Sequence, residues 1–104
     1  MSLTTANVTT STANAYVSSG NTAVTFLSLA NYSASNVQAN VYVVPNGDSV
    51  GNLNIVAANI QITTQDTYQF YAGNEKLISA SGDSIHVSAG ANNAIAAVVS
   101  YTSI

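Results

Sequence analysis

The chemistry open to this chain rests on few side chains: one histidine (His86), four carboxylates (Asp48, Asp66, Glu75, Asp83), one cation (Lys76) and six tyrosines, with no cysteine and no tryptophan. A Ser-His-Asp relay needs a base held in place by a carboxylate, and Asp83 precedes His86 by three residues across a Ser-Gly-Asp turn. Gly47-Asp48-Ser49-Val50-Gly51 has the spacing Gly-x-Ser-x-Gly, but it falls in a turn-rich stretch with no following helix to make the strand-to-helix elbow that the nucleophile motif needs. His86 stands between Ile85 and Val87, so strand alternation turns it away from the face those two share. The run Asn46-Gly47-Asp48-Ser49 lacks the alternating oxygens and closing bidentate acid of a calcium loop. Gly47 to Gly51 lacks the Gly-Lys-Ser/Thr of a phosphate loop. Asx side chains bonding local amides account for these carboxylates better. The expectation is a protein that is not an enzyme and has no catalytic, cofactor-binding or metal-ligating residues.

Composition points the same way. Only 5% of the 104 residues are charged, against about 25% in average soluble proteins. The net charge is −3 and Lys76 stands alone, so neither nucleic acid nor an anionic membrane surface is an expected partner. The amino terminus lacks the basic start and apolar core of a signal peptide, and no apolar run approaches the ~20 residues that span a bilayer. A soluble protein made in a cytoplasm is expected. With 47% hydrophobic residues the chain folds without a partner, and its length suits one hydrophobic core. A surface so sparsely charged is poorly defended against association.

The elements that must position these residues read as strands. Residues 37–44 alternate most clearly, with Val37, Ala39, Val41 and Val43 on one face, and Pro45 ends them. Residues 15–18, 22–32, 67–71, 77–79, 84–89 and 94–104 have similar β-branched and aromatic character, while 53–56 and 59–63 form two short strands or one bent strand. In 22–32 the alternation switches between Phe26 and Leu27, the mark of a bulge or of a strand passing between sheets. Turn formers recur every 8 to 12 residues and no capped helical period appears. The fold class is all-β: one β-sandwich of about eight strands over 1–104, jelly-roll or immunoglobulin-like, with 1–13 as an extended N-terminal arm.

The last strand is apolar on both faces, Ile95, Ala97, Val99 and Tyr101 on one and Ala94, Ala96 and Val98 on the other. It is either a central strand with small residues on its outer side or one covered by another subunit. Tyrosines combine apolar area with a hydroxyl and suit interfaces. The candidate interface residues are therefore Val98, Tyr101, Ile104, Tyr16 and Tyr32; Tyr16, Tyr32 and Tyr71 also suit a host-surface carbohydrate-binding module.

The succession Thr22 to Asn31, Val41-Tyr42-Val43-Val44-Pro45, Leu77-Ile78, Ser81-Gly82-Asp83-Ser84-Ile85 and Val98-Val99-Ser100-Tyr101 resembles small virion structural proteins of tailed bacteriophages, especially those infecting marine cyanobacteria. The resemblance spans nearly the whole chain. It implies a protein of the virion that binds other virion proteins, either the major capsid protein, as a capsid decoration or cement protein, or neck, tail or fibre subunits. A homo-oligomer is expected, a trimer before other cyclic forms.

Overall fold

Alternating apolar residues need two sheets to bury their inner faces, and the computed structural model, which describes residues 2–70 and 77–103, supplies them. Among the described residues there are nine strands: β1 (Ser2–Val8), β2 (Ala13–Val17), β3 (Thr22–Asn31), β4 (Val37–Val44), β5 (Ile55–Ile62), β6 (Thr67–Phe70), β7 (Leu77–Ser79), β8 (Ser84–Ala89) and β9 (Ile95–Ser103). One sheet has the order β1-β9-β3-β6, with β7 beside β6 on the same edge of β3; the other has the order β2-β8-β4-β5. Every described pairing is antiparallel.

The protein is a single β-sandwich, and its pairings nest. β4 pairs with β5, β3 with β6 and β7, β2 with β8, and β1 with β9, like the two arms of one long hairpin whose turn is 45–54. The contacts β3 with β9 and β4 with β8 then wrap that hairpin on itself. Such winding is a jelly roll. An immunoglobulin sandwich keeps its first two strands in one sheet, whereas β1 and β2 lie in different sheets here.

The core lies between the sheets. Val24, Leu27 and Leu29 of β3 and Ile95, Ala97 and Val99 of β9 face Val37, Ala39 and Val41 of β4 and Ile85, Val87 and Ala89 of β8. β3 keeps both ends of its apolar pattern inward through a bulge between Val24 and Phe26; of the two alternatives for the switch expected between Phe26 and Leu27 it is the bulge, set just before Phe26 rather than after it. Residues 55–62 make one strand, kinked at Asn59, whose φ of 51° is left-handed. The Asn40 Oδ1 accepts the Asn59 N–H at 2.7 Å and steadies that kink. Residues 2–8, read as part of an arm, form β1 and pair with β9 over seven residues. Ala94 precedes β9 and is buried in the core rather than on an outer face.

Candidate interaction surface

His86, Asp83 and Asp66 each have hydrogen-bond partners in the turns and strands around them. His86 lies on the outer face of β8, opposite Asn14 of β2 and Tyr42 of β4. Its Nε2 is 3.0 Å from the Ser84 Oγ, the one hydrogen-bond partner of the ring among the described residues. Partial burial, which disfavours the charged ring, lowers its pKa from the ordinary imidazole value. Asp83 does not orient it. The Asp83 Oδ2 accepts the Ala80 N–H and Oδ1 the Asn46 N–H, each at 2.9 Å, and these bonds hold its pKa below the usual carboxylate value. Asp66 accepts the N–H of Thr67 in the same manner, at 2.8 Å. Among the described residues no three His, Cys, Asp or Glu side chains converge to hold a metal ion. Among the described residues no helix is long and apolar enough to cross a membrane.

The loop end that joins β3 to β4 and β8 to β9 is held by asparagines. Asn31, 2% exposed, donates from Nδ2 to the carbonyls of Ser35 (2.8 Å) and Ile62 (2.9 Å), and its Oδ1 accepts from the Ser33 N–H and hydroxyl. Asn92 takes the Thr10 N–H, Asn36 the Thr64 N–H, and Asn93 the Asn7 amide. A groove of about 320 Å³ opens at this end, and its lining, which includes Asn36, Gln38, Gln61 and Ala91, contains no aromatic ring for a sugar to stack on.

The outer face of the β1-β9-β3-β6 sheet differs. Register sets Leu3, Thr5 and Asn7 of β1 beside Ser100, Val98 and Ala96 of β9, and those beside Phe26, Ser28 and Ala30 of β3. None is charged. Leu3 is 68% exposed, and Phe26, Ala96 and Val98 are half-buried with no layer over them among the described residues. Val98 and Tyr32 line one shallow groove of about 440 Å³ together with Thr5, Asn7 and Ala96. The Tyr32 hydroxyl donates to the Asn7 Oδ1 at 2.9 Å, fixing the ring beside the sheet.

Of the five interface candidates, the structure therefore brings Val98 and Tyr32 together on this face. Tyr16 and Tyr101 go elsewhere: their ring centroids are 4.5 Å apart at 36°, Tyr16 is 8% exposed, and Tyr101 packs on the core. Tyr16 has little surface left to offer a partner. Ile104, like Tyr71, lies outside the described residues. Leu3, Asn7 and Phe26 were missed. The alternation Leu3-Thr5-Asn7 was the available signal, hidden because the segment read as an arm; Phe26 was hidden by the bulge. β9 is a central strand, and its outer side carries small residues without a cover among those described. Compared with known proteins, the chain matches no family model, no curated protein and no solved structure.

Proposed function

We propose that this chain is a non-enzymatic structural subunit of a tailed-phage virion, a capsid decoration protein that docks on other virion subunits through the outer face of the β1-β9-β3-β6 sheet. The observation that carries the reading is that face: Leu3, Phe26, Ala96 and Val98 form an uncharged apolar strip across three adjacent strands. Covering apolar surface contributes roughly 25 cal/mol per Å², so each contact is modest and many copies on a repetitive particle make the sum large. The resemblance in the order of sequence motifs to virion proteins is what favours a phage particle as the partner.

The test is co-sedimentation of the purified protein with purified capsids stripped of it. Saturable binding is expected, together with about tenfold or greater weakening by Val98→Lys, which sets an ammonium in the middle of the docking face. The variant's thermal midpoint should stay near that of the wild type, because Val98 is outside the core. Binding to stripped tails and not to capsids moves the site to the neck or tail. Binding to neither, with recognition of glycans instead, sinks the structural reading.

A further inference from the structure

Two sheets present four edges, and three of them are blunted. On β5 the pairing with β4 slips twice and the strand kinks at Asn59. On β2 a bulge falls between Asn14 and Tyr16. The edge made by β6 and β7 consists of strands of four and three residues, and the sequence between them carries both Glu75 and Lys76. Short strands, bulges and charges are the devices that stop strand-to-strand association. β1 has none of them. Its seven residues, Ser-Leu-Thr-Thr-Ala-Asn-Val, contain no charge and no proline. They run in unbroken register against β9, and among the described residues no strand pairs with the other side. Alternate residues there turn their N–H and C=O groups outward, a row of donors and acceptors some 23 Å long at strand rise.

We infer that the β1 edge pairs with the β1 edge of a second copy of this chain, antiparallel about a two-fold axis, joining two five-stranded sheets into one continuous sheet. A two-fold contact must be self-complementary, and an antiparallel strand meets that requirement with its own backbone. Full overlap of residues 2–8 centres the axis on Thr5. Thr5 then faces the partner's Thr5, Thr4 faces the partner's Ala6, and the exposed Leu3 of each copy lies beside the partner's Asn7. Threonine pairs suit such a register. The operator is two-fold, so this contact makes a dimer and not the trimer expected from symmetry alone. It also places the two uncharged outer faces side by side, doubling the strip that one capsid contact could cover.

The chain has no cysteine, so single-cysteine variants report the register cleanly. Thr5→Cys sits on the axis, within the Cα separation a disulfide needs, and should cross-link to a dimer under mild oxidation. Leu3→Cys lies about 13 Å from its symmetry mate at strand rise and should not. Light scattering on the wild type should show a concentration-dependent monomer–dimer mass between micromolar and millimolar protein. Thr5→Lys, which opposes two like charges on the axis, should raise the dissociation constant about tenfold or more. Slower amide exchange over residues 3–7 at high concentration should accompany dimerisation. A monomer at all concentrations, a trimer, or equal cross-linking of both cysteine variants overturns the pairing. None of these measurements involves a capsid, and Val98→Lys, two side chains in from the edge, should leave the dimer intact, so this inference and the docking reading fail separately.

Discussion

At the level of single residues, this protein uses amides where most proteins use charges. Asn31 saturates both donors and both acceptor positions of its side chain inside the sandwich, and no described buried side-chain nitrogen or oxygen lacks a partner. Removing it orphans two carbonyls and the Ser33 groups, so Asn31→Ala should lower stability by about 3 kcal/mol, read from the urea midpoint at unchanged m-value. Two groups have pKa values lowered by the fold, His86 and Asp83. The pKa of His86 is lowered on folding, so the unfolded chain takes up that proton first; stability is complete above pH 6.5 and falls as the pH drops through and below that value. The pKa of Asp83 is also lowered, so its contribution is present above 3.8 and is lost only as the pH falls through the still lower folded value. Thermal midpoints against pH should therefore show two descending steps, with His86→Gln removing the upper and Asp83→Asn the lower. A flat profile in either window would remove that group from the account.

At the level of elements, turns and bulges carry the precision. Gly47 and Gly82 both hold φ of +89°, where a side chain is strained. They differ in what surrounds them. A Cβ at Gly47 meets nothing within 4 Å, whereas one at Gly82 lands 2.5 Å from the Asn46 side chain, whose backbone N–H Asp83 holds. Gly47→Ala should cost about 1 kcal/mol from backbone strain alone. Gly82→Ala should cost about the same, because the exposed Asn46 side chain can swing aside; a clearly larger thermal shift would show that Asn46 is held in place. Strand identity was legible in the sequence for the same reason these turns were: β4 declares itself through Val37, Ala39 and Val41 and ends at Pro45, all by local rules. β1 was not legible, because Ser2 to Val8 are mostly small or polar residues that become a strand only where β9 offers them a ladder.

For the whole molecule, the deciding quantity is charge per unit of surface. The folded chain exposes 5497 Å², over which the sequence distributes five charged side chains. Among the described residues, neither the outer face of the β1-β9-β3-β6 sheet nor the β1 edge carries one. Association through either should then be nearly indifferent to salt, since there are no attractive ion pairs to screen. The check is the dimer constant and the capsid binding curve measured at low and at high sodium chloride. A steep fall with salt would point to contacts made by Asp48, Asp66 or the Glu75-Lys76 segment instead.

The sequence by itself determined an all-β chain, its turns and a surface nearly free of charge, because alternation, turn chemistry and composition are local or additive properties. Only the tertiary structure decided that the sandwich is a jelly roll, since which strands become neighbours depends on pairings such as Val8 with Ile95, far apart in the chain. The same long-range pairing separated two kinds of tyrosine that look alike in sequence. Tyr16 and Tyr101 meet across the interior, whereas Tyr32 stays at the surface beside Val98. It also gathered Leu3, Phe26 and Val98, from three distant segments, into one strip that no single strand could announce.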